Sequence, residues 1–149
     1  MIEQALLAYF HYVAIFVTAA ALAAEFVLYR PPMSAQVAVV LPKIDLAYGM
    51  ASILAVGTGF ARALWYEKGW DFYKHSWLFW LKVSLVATWG ILSILPTIHF
   101  LRVARIVPAG GQISIEPSLA KRIRGLLWAQ VLIVPWVPLV AVLMSRGIG

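Results

Sequence analysis

Few side chains in this sequence can carry a charge, and their positions give the first indication of chemistry. Twelve Lys or Arg, six Asp or Glu and three His are spread over 149 residues. His11, Glu25, Asp45, Arg62, Lys82 and His99 stand inside long apolar runs, and His75 sits at the mouth of one. On insertion scales a charge at the centre of such a run costs about 2.5–3.5 kcal/mol, so each needs a partner or a purpose. Imidazole suits an axial bond to haem iron. Two carboxylates with an imidazole suit a metal site or a proton relay. The chain has no cysteine, which excludes disulfides, thiolate metal sites and cysteine nucleophiles.

The elements that must position these residues are set by composition. Hydrophobic residues make up 63% of the chain and charged residues 12%, with a mean hydropathy of +0.88. A soluble domain of this size cannot hide that much apolar surface. An ordinary cytosolic enzyme, a disordered chain and a disulfide-stapled secreted module are therefore excluded. Four apolar runs, at about 5–29, 44–65, 76–101 and 126–144, each approach the roughly 20 residues needed to cross a bilayer. None shows the alternation of a membrane barrel, and only a helix satisfies its own backbone inside lipid. The first run lacks a basic leader and exceeds a signal-peptide core in length, so it reads as a retained span. The expectation is one transmembrane domain over residues 1–149: an all-α, integral membrane four-helix bundle, up-down-up-down.

Turn chemistry places the breaks. Arg30-Pro31-Pro32 ends the first span, and Pro42 is expected in the first turn of the second. Residues Glu67 to Asp71 read as a polar turn, and Pro108 to Gly111 as the stop after the third span. Pro96, Pro135 and Pro138 are expected to kink their helices. One face of the bundle carries four Lys or Arg, and the other, with the first and third loops, carries seven. The positive-inside rule then puts both termini outside. Trp65, Tyr66, Trp70, Tyr73 and Trp77 read as an outer aromatic belt, with Tyr29 and Tyr48 marking the inner interface. The net charge of +6 fits topology and anionic lipid contact, with no nucleic-acid partner.

Depth divides the intramembrane polar residues into two groups. His11, Arg62 and Lys82, with His75, belong to the outer half. Glu25, Asp45 and His99 belong to the inner half, with Arg30 and Arg102 at its rim. His11 and Glu25 are separated by about 21 Å of helix, so they serve different sites on a shared face. His75, Lys82, Trp89 and Ser93 follow helical spacing and are expected to point inward. His11 fits either a haem ligand, with His75 or Lys82 nearby, or a hydrogen-bonded helix contact. For Glu25, Asp45 and His99 the favoured reading is charge pairing with Arg30 and Arg102, against a proton relay or metal site. Arg62 reads as an interfacial anchor. Gly49, Ser52, Gly57 and Gly59 allow close helix approach, and Gln130 is the polar handle of the last span.

Several stretches carry a family resemblance. They are Ala8-Tyr9-Phe10-His11-Tyr12-Val13-Ala14, Asp45, Gly59-Phe60-Ala61-Arg62, Lys68-Gly69, Phe72-Tyr73, Phe79-Trp80-Leu81-Lys82 and Ser93 to Phe100. Together they resemble the small bacterial membrane family known as domain of unknown function 2214. That resemblance implies a fold and a bacterial inner (plasma) membrane location, with no assigned activity. A more distant resemblance joins His11 and Lys82 to the four-helix HemJ-type protoporphyrinogen oxidases, which implies haem b at a helix-one His and a functional Lys in helix three. Where that family has a further His along helix three, this sequence has Ser93, with His99 beyond it. Two functional expectations follow. One is a haem b redox protein with His11 as axial ligand and Lys82 and His75 beside it. The other is a non-enzymatic small permease or membrane partner subunit that uses Glu25, Asp45 and His99. Expected partners are membrane lipids, and a bundle with so limited an interior leaves room for a homo-oligomer.

Overall fold

The computed structural model describes residues 1–66, 69–106 and 111–148. Glu67, Lys68, Pro108, Ala109 and Gly110, which belong to the expected polar turn and helix stop, lie outside the described residues. Helix α1 covers Ile2–Leu28, and the two-residue strand β1 covers Met33–Ser34. Helix α2 (Ala35–Ala61) runs into a π-helical turn, Arg62–Tyr66. Then come the short α3 (Trp70–Tyr73), α4 (Trp77–Arg105), strand β2 (Gln112–Ile113), α5 (Pro117–Ile133) and α6 (Trp136–Ser145).

Four segments are long and apolar enough to cross a membrane: Ile2–Leu28, Ala35–Tyr66, Trp77–Arg105 and Pro117–Ser145. Helix α1 packs on α2, α2 on α4, α4 on α5 and α6, and α5 closes the ring on α1. Neighbours in space are neighbours in sequence, so the all-α, up-down-up-down bundle is the observed architecture.

Local chemistry explains the helix limits. Pro31 and Pro32 stop α1, whose last turn closes with the Tyr29 N–H donating to the Glu25 carbonyl. Ser34 caps α2, its Oγ accepting from the Val37 N–H at 3.3 Å. That cap starts the helix nine residues before the expected Ile44, so Pro42 lies inside it instead of opening it. Pro42 leaves the Ala38 carbonyl without its i+4 donor, and the helix continues through it. Ser76 caps α4 in the same way, accepting from the Phe79 N–H at 3.3 Å. Pro117 opens α5, and the last span breaks at Val134-Pro135, where the proline cluster was expected to kink it. Pro96 sits within a continuous α4.

The core has two parts. At the end bearing β1 and β2, buried Leu22, Tyr29, Leu41, Phe100, Ile123 and Leu127 belong to one cluster that joins all four spans. At the end bearing the chain termini, a smaller cluster contains Ala63, Tyr73, Leu78, Phe79, Val140 and Met144. The strands pair antiparallel, Met33 with Ile113 and Ser34 with Gln112, and tie the first connection to the third. The first turns of α1 are largely uncovered, with Ile2, Leu6, Tyr9 and Phe10 all exposed. Exposed apolar side chains along the helices are what a bilayer, and not water, would cover.

Candidate functional site

The polar residues of the bundle gather in the half nearer the strand pair. Glu25 lies on the α1 face that meets α2 and α5, and is 2% exposed. Its Oε1 is buried with no hydrogen-bond partner among the described residues. Asp45, 6% exposed, comes one turn beyond Leu41 on α2. Its Oδ1 accepts a hydrogen bond from Thr97 Oγ1 of α4 at 2.8 Å. The two carboxylates lie near enough for their charges to repel. Neither has a salt-bridge partner among the described residues; the bridge seen there is Lys74–Asp71, outside the bundle. Arg30 and Arg102 are exposed, so the expected pairing with the carboxylates does not form. A long cationic side chain left exposed costs less than one that follows the carboxylates inward.

The remaining spans add uncharged polar groups. Tyr48, one turn after Asp45, donates its hydroxyl to Gln130 Oε1 of α5 at 2.9 Å. Its ring stands edge-on to Trp89 of α4, with centroids 6.1 Å apart. The Trp89 indole N–H is buried and, like Glu25 Oε1, has no partner among the described residues. Tyr29, one turn after Glu25 on the same face, bonds through its hydroxyl to His99 Nε2 at 3.0 Å. The Tyr29 carbonyl accepts from Arg124 of α5 at 3.0 Å. Glu25, Asp45 and His99 therefore do converge on one end of the bundle. Tyr29 and Tyr48 are part of that interior and do not mark an interface, because their hydroxyls find partners inside. A cleft of about 240 Å³ between α2 and α4 exposes one side of this group, with Asp45, Tyr48, Ser93 and Thr97 in its lining.

The residues nearer the termini are arranged differently. His11 lies against α2, with its Nδ1 at 2.9 Å from Thr58 Oγ1. The Thr58 hydroxyl donates to the Leu54 carbonyl at 2.6 Å, so its oxygen accepts from His11. A neutral His11 in this contact carries its proton on Nδ1. Gly59 makes room for the ring: a Cβ there would stand 3.0 Å from His11 Cε1. Arg62 opens the π-helical turn and places its guanidinium 5.4 Å from the centre of the Tyr12 ring. Lys82 is half-buried on α4, as are Trp89 and Ser93 beyond it. His75 is exposed in the turn before α4, and its Nδ1–H donates to the Asp71 carbonyl at 2.9 Å. Helical spacing fails for it because the helix starts only at Trp77. Tyr73 leaves the expected aromatic belt for the smaller core cluster, while Trp65, Trp70 and Trp77 stay exposed. Among the described residues, no group of three or more His, Asp or Glu is placed to hold a metal ion.

Sequence reasoning did not assign Tyr29, Tyr48, Thr97 and Trp89 to the site. The usable signal was spacing: Tyr29 follows Glu25 by four residues and Tyr48 follows Asp45 by three, so each tyrosine shares its carboxylate's helix face. Thr97 carried no such signal, because only the register between α2 and α4 brings it to Asp45.

No curated protein and no solved structure matches the chain, so nothing among them supports the resemblance to HemJ-type oxidases expected from His11, Lys82 and the four-span topology. A family model described as "Predicted membrane protein (DUF2214)" matches residues 3–149. With four membrane-length helices and a match over nearly its whole length, the chain belongs to that family of predicted membrane proteins.

Proposed function

We propose that this protein is a small non-enzymatic permease that moves protons, or a cation in exchange for them, through the group formed by Glu25, Asp45, Tyr29 and His99. The observation that carries this reading is the buried Glu25 Oε1, without hydrogen bond or salt bridge among the described residues, in the same half of the bundle as a second carboxylate. Carboxylates retained only for packing are normally paired, because an unmade hydrogen bond inside a protein is costly. A carboxylate pair in a low-dielectric interior is compensated by a proton or a bound cation. Tyr29 and His99 continue the polar line from Glu25 toward the end with the strand pair, as hydroxyl and imidazole groups that hand protons on. We place the chain in a bacterial inner membrane with both termini outside, on the balance of Lys and Arg between the two faces.

Flux into proteoliposomes tests this. Vesicles with a trapped pH dye and an imposed potassium diffusion potential should acidify several-fold faster with the protein than without it. Glu25→Gln should fall to the protein-free rate and still elute as a folded species. Equal rates with and without protein, or full flux in Glu25→Gln, refute the reading.

A second reading is favoured by the His11–Thr58 contact. A partner that fixes the Nδ1 proton is what orients a ligand histidine. In that reading His11 would hold haem b, which would supply one-electron chemistry, and Lys82 would offer a cation to its carboxylates. A Soret band lost in His11→Ala supports it. A colourless, folded preparation from haem-replete cells refutes it.

A further inference from the structure

The geometry points to the cleft between α2 and α4 as a binding site for a small lipophilic amine that enters sideways from the bilayer. The proposal rests on the permease reading of the carboxylates and names the cation that they would take. Asp45, Tyr48, Ser93 and Thr97 are the polar residues of the lining. Among the described residues no Lys or Arg lines the cleft, so the charge of Asp45 meets no cation from them there. Thr97 occupies Oδ1 and thereby fixes the carboxylate's orientation. An ammonium group supplies the complementary charge and several hydrogen-bond donors. The Tyr48 ring adds an aromatic surface of the kind that attracts organic cations.

The rim selects the rest of the molecule. Leu46, Met50 and Ile53 form it, and they are 64%, 65% and 76% exposed. All three lie in the central part of a membrane-length segment, so the mouth opens toward acyl chains and not toward water. Gly49 lowers the wall between them, since it has no side chain to close the gap. A hydrated inorganic ion does not enter by that route, whereas a cation with its own apolar body does. The volume, about 240 Å³, falls below the usual 300–1,000 Å³ of drug-sized sites, so the body is a single ring or a short chain. Met50, with its flexible thioether, adapts to either shape.

The experiment compares a charged probe with its neutral analogue. Purified protein in nanodiscs is titrated with 2-phenylethylamine and with 2-phenylethanol, and binding is read by saturation-transfer NMR. The amine should bind about tenfold or more tightly than the alcohol, the increment expected of a charge-assisted contact. Asp45→Asn should remove that preference. Ile53→Trp, a change at the exposed rim that leaves the core untouched, should weaken both probes by covering the mouth. Equal binding of amine and alcohol would mean a groove filled by lipid chains alone, and would overturn the proposal. So would an amine preference that survives Asp45→Asn, or no binding at all. No flux enters this measurement. Proton flux without amine binding sinks the amine site and spares the permease, and amine binding without flux does the reverse.

Discussion

Replacing Glu25 by Leu should make the protein more stable and inactive at once. The carboxylate is 2% exposed, and its Oε1 has neither a hydrogen bond nor a salt bridge among the described residues. Leaving a buried polar group unsatisfied costs about 1–3 kcal/mol, and more for a charge. Leucine fills a similar volume without that cost, and Leu22, Leu41 and Leu127 in the same core cluster show that the surroundings accept branched aliphatic side chains. The expected gain is therefore about 1–3 kcal/mol, reduced by whatever strain the γ-branch introduces. Unfolding in mixed micelles, titrated with a denaturing detergent and followed by tryptophan fluorescence, measures it. Flux in proteoliposomes, measured on the same preparation, should fall to background. A loss of more than about 1 kcal/mol would show that Glu25 is held by a favourable partner, and the inference from its orphaned oxygen would then fail.

Three further outcomes follow from the same contacts. Tyr29→Phe removes the hydroxyl bonded to His99 but keeps the backbone carbonyl that holds Arg124. It should slow flux several-fold at a stability cost of no more than about 1 kcal/mol, read by the same two assays. Gly59→Leu puts a side chain where a Cβ alone would reach 3.0 Å from the His11 ring. It should displace the imidazole from Thr58 and destabilise by about 1–3 kcal/mol, with a shifted His11 ring signal in NMR as the direct check. Because the chain has no cysteine, single cysteines report topology without background. An impermeant maleimide applied to intact cells should label Ile148→Cys and spare Gln112→Cys; the opposite pattern reverses the assigned orientation.

The architecture was readable because lipid demands so much of a sequence. Four apolar runs separated by prolines and charges leave a helical bundle as the economical arrangement. The limits were less readable where helix and loop share a composition. The stretch from Ala35 to Leu41 is as apolar as a span and follows the capping Ser34, yet Pro42 suggested that the helix began later. At the site, the carboxylates and His99 were visible because an ionisable group stands out against an apolar run. Tyr29 and Tyr48 were not, because an amphipathic ring serves an interface and a buried network equally well until its hydroxyl's partner is known. The expected pairing of Glu25 and Asp45 with arginines failed for a related reason. A sequence gives the depth of a charge but not the direction in which a long cationic side chain turns.

The strand pair has a consequence for biogenesis. Its two rungs join Met33 and Ser34 to residues about 80 positions further along the chain. As the chain enters the membrane from its N-terminal end, the first helical hairpin presents its strand edge early, with no mate. The mate reaches the same side only after the third crossing is complete. Until then the bundle is a set of independently stable helices, in keeping with insertion before association. The ladder therefore acts as a latch that closes late. A defect in the third crossing should expose an unpaired edge that quality-control machinery can recognise.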